Sequence, residues 1–245
     1  KLTMSVITAT VAQYGGYVTL SDVLLLTAID NNLVQATELL ASQAGRTLDT
    51  VTREVLQGGT NVMYAQGGAS RAALAYTSES SNNNVTFDDI RKAVRALKIQ
   101  NTPKISGTYV AIVHPDVAYD IMSDPKWVNV KTYSDPDDMY EGEIGKIEGV
   151  RFVETTEAKV FKAAGASSRD VYGTLILGAN AYGVTEVTGG GLQHIVKQLG
   201  SAGSEDPLNQ RATAGWKAIK VAERLVELYM IRLESTSSFN DAPAN

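Results

Sequence analysis

Few residues in this 245-residue chain could do chemistry, and they are scattered. His114 and His194 are its two histidines, so any imidazole base must be one of them. There is no cysteine, which removes thiolate nucleophiles, thiolate zinc sites and disulfides together. His114-Pro115-Asp116 sets an imidazole two residues from a carboxylate, a pairing that a hydrolase could use to orient a base. The tripeptide directly follows the apolar run Tyr109-Val110-Ala111-Ile112-Val113, which favours a strand-to-helix turn with Pro115 as the first helical residue and Asp116 as an early-turn acid. No GxSxG elbow accompanies any serine. Gly189-Gly190-Gly191 runs into Leu192-Gln193-His194, and Gly165-Ala166-Ser167 has no lysine, so neither forms a phosphate loop. The carboxylate pairs Asp88-Asp89, Asp137-Asp138 and Glu141 with Glu143 fall at a helix start or in polar turns, and Asp135, Asp137 and Asp138 lack the glycine and distal Glu of a calcium loop. The expectation is no catalytic residue, no cofactor and no metal.

The elements that would position these residues read as a mixture of strands and helices. Residues 2–18 are rich in Thr, Val, Ile and Tyr and suit extended strands bent at Gly15-Gly16. Ser21-Asp22 can cap a short helix. From Leu33 the positions Ala36, Leu40, Ala44, Leu48, Val51 and Val55 form one apolar stripe, predicting a helix over 33–57 that ends at Gly58-Gly59 and is about 38 Å long. Residues 77–84 read as a polar surface loop and a domain junction. Thr86 caps a helix with Asp88 and Asp89 in its first turn; Arg91, Lys92, Arg95 and Lys98 follow towards its positive-charge-tolerant end. Strands are expected at 108–113, 150–154, 174–177 and 182–187, with further extended chain at 192–199. Residues 124–140, holding Trp127, Tyr133, Asp137 and Tyr140, make a long aromatic and acidic loop of the kind that is functional or interfacial. Residues 214–234 are ambiguous between helix and strand.

Composition bounds the function. The chain carries 22 Lys+Arg against 27 Asp+Glu, for a net charge of -5, which argues against an outer surface that wraps nucleic acid. No apolar run reaches the ~20 residues of a membrane helix. A compact monomer of this size would bury about 70% of its unfolded-chain surface without staples. A folded protein with many strands, one rod-like helix and no reactive site is expected to be structural.

Five stretches carry a resemblance that fits this expectation: ATVAQYGGYVTLSDVLLLTAID (9–30), QAGRTLDTVTREVLQGGTNVMYA (43–65), YVAIVHPDVAYDI (109–121), GEIGKIEGVRFVET (142–155) and DPLNQRATAGWKAIKVAERLVELYMIRLE (206–234). In this combination the chain resembles the major capsid proteins of tailed double-stranded DNA bacteriophages, in the branch found in short-tailed phages. The resemblance implies an α+β chain of the Hong Kong 97-type fold. Residues 1–20 would be the returning arm of an extended loop, 21–86 a peripheral domain with a spine helix, 87–191 an axial domain, and 192–245 the returning peripheral strands. The chain starts Lys1-Leu2-Thr3, and the expected N-terminal arm and first half of the loop are missing from it. The implied function is a non-enzymatic subunit of an icosahedral head, assembled in the host cytoplasm into hexamers and pentamers around packaged DNA. Its implied partners are itself, then scaffold, portal and decoration proteins, with no membrane. Tyr14, Tyr17, Trp127, Tyr133, Asp137, Tyr140 and Trp216 are the expected subunit contacts. A nanocompartment shell of the same fold, or a small-molecule-binding α/β domain or hydrolase using His114 and Asp116, are the competing expectations.

Overall fold

The computed structural model describes residues 6–27, 30–78, 81–127, 145–185, 187, 189–201 and 203–239. In chain order its elements are β1 (Ala12–Ser21), α1 (Asp22–Thr27), α2 (Asn32–Gln57), β2 (Val62–Tyr64), β3 (Tyr76–Ser78), β4 (Ser81–Asn82), α3 (Phe87–Ile99), β5 (Tyr109–Val113), α4 (Pro115–Ser123), β6 (Lys146–Ile147), β7 (Val150–Glu154), β8 (Lys159–Phe161), β9 (Val171–Leu177), β10 (Tyr182–Thr185), β11 (Gln193–Lys197), β12 (Arg211–Arg224) and β13 (Met230–Ser235). Two compact units result: Lys1–Thr52 with Val184–Glu223, and Arg53–Gly183 with Arg224–Asn245.

The first unit is a helix on a sheet. β12 runs down the middle, antiparallel to β1 from Ala12↔Lys220 to Ser21↔Arg211 and antiparallel to β11 on its other side. Leu40 and Ala44 of α2 pack on Ala214, Trp216 and Ala218 of β12, with Tyr14, Leu33 and Leu48 at the margin. The expected helix is confirmed almost to the residue, because its stripe at three- and four-residue spacing is the face that meets this sheet. Gly15-Gly16 is not a bend: both residues sit in unbroken register opposite Lys217 and Trp216. A Cβ on Gly15 would lie 2.8 Å from the Trp216 carbonyl oxygen, and one on Gly16 would lie 2.9 Å from Gln43 Oε1. The glycines provide clearance for the neighbouring strand and for the helix side chain that accepts the Trp216 indole N–H at 3.4 Å. The ambiguous stretch 214–234 is β12 and β13, joined through a single 3-10 turn at Glu227–Tyr229.

The second unit holds a seven-stranded mixed sheet, ordered β2-β13-β9-β5-β7-β6 with β8 paired to β9. β5 and β7 are parallel and joined through α4, as a crossover connection requires. Alternate residues Tyr109, Ala111 and Val113 of β5 face α3 and α4 and join Ile90, Val94, Leu97, Val117 and Ile121 in a closed core. On the sheet's other face Leu175, Leu177 and Met230 pack with Leu56, in the last turn of α2. The helix starts follow their cap chemistry. Thr86 Oγ1 accepts the Asp89 N–H at 3.4 Å while Asp89 Oδ2 accepts the Thr86 N–H at 3.3 Å, a reciprocal capping box. The polar tract at 77–84 is not wholly loop, since β3 and β4 form a small antiparallel pair within it.

Candidate subunit-contact surfaces

His114 and Asp116 do come together, but as a helix cap. The Asp116 N–H donates to His114 Nδ1 at 3.2 Å, so this nitrogen is an acceptor and the ring proton sits on Nε2. Burial holds the imidazole pKa below its ordinary value, against the pull of the Asp116 carboxylate 3.3 Å away. Tyr172 donates its hydroxyl to Asp116 Oδ2 at 2.6 Å, and burial followed by that carboxylate raises the phenol pKa. The carboxylate thus receives a phenol in the first turn of α4 while the imidazole caps that helix, which stabilises a turn and leaves His114 Nδ1 occupied. Among the described residues no group of His, Asp and Glu is arranged to hold a metal ion.

The expected contact residues separate. Tyr17 stands on the sheet of the first unit at 76% exposure, opposite Gly215, which in turn lies opposite Ile195 of β11. Tyr14 is half-buried beside α2. Trp216, at 6% exposure, is packed under α2, and Trp127, at 5%, is part of the core of the second unit. Their indole areas are buried inside their own chain, because β12 turns Trp216 towards α2 and Trp127, just after α4, joins the buried cluster of the second unit. Tyr133, Asp137 and Tyr140 lie outside the described residues.

Sequence reading missed two features. Among the described residues, exposed large apolar side chains crowd onto the first unit: ten lie between Val6 and Leu39 and seven between Val184 and Leu208, against eight on the larger second unit. Tyr17, Leu26, Leu39 and Leu208 are each more than 70% exposed. A clustering of this kind marks an interaction surface, where isolated exposed leucines would not. The signal was present in the run Leu192-Gln193-His194-Ile195-Val196, but an edge strand cannot be told from a buried one by its residues alone.

The other missed feature is a buried ion network in the second unit. Glu234, fully buried, accepts a forked pair of hydrogen bonds from Arg71 at 2.8 and 2.6 Å and a third from Arg232 at 2.7 Å. Arg71 lies flat over Phe161, 3.6 Å from the ring centre. Arg232 also donates to the carbonyls of Gln57 and Gly59, and Arg224 to that of Val55 at 2.8 Å, so the orphan carbonyls ending α2 are held by two cations. The pairing needs residues over 160 positions apart, which no local pattern announces.

A family model described as phage capsid protein matches residues 16–199. No curated protein matches in sequence. Among solved structures, the capsid of Ralstonia phage GP4 aligns at TM-score 0.72 and 14% identity, covering 97% of this chain and 76% of that one. The Cyanophage Pam1 capsid aligns at TM-score 0.68 and 15% identity, covering 94% and 76%. An encapsulin, SrpI from Synechococcus elongatus, aligns at TM-score 0.57 and 9% identity, covering 93% and 74%. The two-unit α+β architecture is therefore the Hong Kong 97-type fold, and the chain belongs to the phage capsid protein family as a capsid shell subunit.

Proposed function

We propose that this chain forms the icosahedral head of a tailed phage, assembling into hexamers and pentamers that enclose double-stranded DNA, and that its role is structural rather than catalytic. One observation carries the reading: the apolar side chains left exposed on the first unit are more than a unit with five buried core residues can cover itself. Burial of such surface is the main driving force for association, at roughly 25 cal/mol per Å². In this reading the first unit supplies the peripheral surface and residues 87–183 the axial one, with residues 1–20 as the arm of an extended loop. Scaffold, portal and decoration proteins would be its further partners, the host cytoplasm its site of assembly and the virion its final location. The helix-cap role of His114 supports a non-catalytic protein. Electron microscopy of the purified chain at rising concentration tests the reading: closed shells are expected, and a protein that stays monomeric under every assembly condition overturns it.

The likeness to an encapsulin supports a second reading, a nanocompartment shell of the same fold. Particles purified from the native source decide between them: packaged DNA supports the head, and enclosed protein cargo supports the nanocompartment.

A further inference from the structure

The two sheets treat their margins differently. Among the described residues, the seven-stranded sheet of the second unit has β2, β6 and β8 at its margins, strands of three, two and three residues, and such short edges offer little backbone to a further strand. The sheet of the first unit has β11 at one margin, five residues long and exposed at every position. β11 reads Gln193-His194-Ile195-Val196-Lys197, with no proline and with its one lysine at the end. Ile195 and Val196 are each 40% exposed. Among the described residues no strand lies on its outer side, so a row of N–H and C=O groups is left for another chain to pair with. The opposite edge, β1, carries Gly15-Gly16 near its middle, where an added strand would find no side chain to pack on.

β11 is complementary to itself. When a second β11 lies antiparallel beside it with all five residues paired, Ile195 meets Ile195, His194 meets Val196 and Lys197 meets Gln193. No lysine opposes a lysine in this register. Parallel pairing in full register sets Lys197 against Lys197, and like charges directly opposite are destabilising. The faces agree as well. Thr213, Gly215 and Lys217 alternate with the residues of β12 that pack on α2, so their partners Lys197, Ile195 and Gln193 share the outer face. Tyr17, Gly215 and Ile195 form one row across that face. A two-fold axis beside Ile195 continues the row into Ile195, Gly215 and Tyr17 of the second copy, so each Ile195 is covered by its own equivalent.

We propose that β11 is a two-fold contact, pairing antiparallel with β11 of a second copy of this chain and joining two sheets into one across Ile195. Such a contact uses the same patch on both sides and closes at two copies. This rests on the shell-subunit reading and adds one specific contact between copies to it.

The chain has no cysteine, so single introduced cysteines report the pairing in the full chain without background. Residues directly opposite in an antiparallel pair have Cα atoms about 4.5–5.5 Å apart, within the span of a disulfide. On mild oxidation of the concentrated chain, Ile195→Cys is expected to run as a covalent dimer in non-reducing electrophoresis. Gln193→Cys and Lys197→Cys are each expected to stay monomeric alone and to cross-link with each other when mixed. Both sites are exposed, so these two variants carry the test should Ile195→Cys fail to fold. Ile195→Lys sets two cations together at the axis and is expected to raise the concentration needed for particles about tenfold, with unchanged thermal unfolding. Particles of Ile195→Cys that yield only monomer after oxidation overturn the proposal. Cross-linking of Gln193→Cys with itself as readily as with Lys197→Cys overturns it too. If the unaltered chain forms no particles while the cysteine variants still cross-link in this pattern, the shell reading falls and the β11 contact stands.

Discussion

The two units solve burial differently. Among the described residues, the second gathers nineteen buried apolar residues into one cluster between α3, α4 and its seven-stranded sheet, and carries eight large exposed apolar side chains. Among the described residues, the first has five residues in its core cluster, of which three are alanines, and carries seventeen exposed ones. Small residues let α2 lie close on β12, but they bury little area each, and apolar stabilisation scales with area. The second unit resembles a domain whose stability is its own. The first resembles half of an interface.

That contrast can be broken by mutation. The largest effect is expected in the second unit from Glu234→Ala, which leaves Arg71 and Arg232 without their buried counter-charge; losses of about 3–5 kcal/mol follow in urea unfolding. A loss below about 1 kcal/mol would mean that the network is not a structural centre. Leu97→Ala, at a residue with no exposure, should cost about 2–5 kcal/mol by the same measurement. Leu39→Ala, at 72% exposure on α2, should change unfolding by less than about 0.5 kcal/mol. The same change should raise the concentration needed for particles; equal effects of Leu39→Ala and Leu97→Ala on the isolated chain would erase the distinction between units. Thr86→Ala should cost about 1 kcal/mol through the lost α3 cap.

The smallest effect concerns Asp120, whose pKa burial raises above its ordinary value although Ser238 donates to it through its hydroxyl at 2.5 Å and its N–H at 3.1 Å. The folded chain then holds this proton more tightly than the unfolded one. The resulting stabilisation is full below the ordinary carboxyl range and is lost as pH rises through the raised value. Asp120→Asn should remove that increment, so unfolding midpoints of the two proteins should diverge as pH falls from neutrality towards 4, with the unaltered chain gaining. Parallel curves would refute the assignment.

What could be read from the chain beforehand was local. α2 announced itself through seven apolar positions on one stripe, α3 through Thr86 with Asp89, and α4 through Pro115 at its first position, because caps and periodicity act over four residues. Pairing was not legible. Ala218 to Arg224 reads ambiguously, yet it lies in β12, where Ala218, Ile219 and Lys220 pair with Tyr14, Gln13 and Ala12 of β1, an override of propensity by tertiary context. Trp127 and Trp216 looked like exposed contacts for the same reason: whether an aromatic faces a partner or its own core depends on elements far away in sequence. The exposed apolar surface of the first unit stayed hidden because burial on a sheet face depends on what covers it.

The register of β1 with β12 has a consequence in time. Ala12 pairs with Lys220, and in the second unit β2 pairs with β13. Both sheets therefore wait until residues 211–235 have left the ribosome, at roughly 5–20 residues per second. A nascent chain can form α2, but it has no β12 to lay it on. A chain cut before Arg211 lacks the strand that completes the first sheet, and one cut before Met230 lacks the strand that holds β2 in the second.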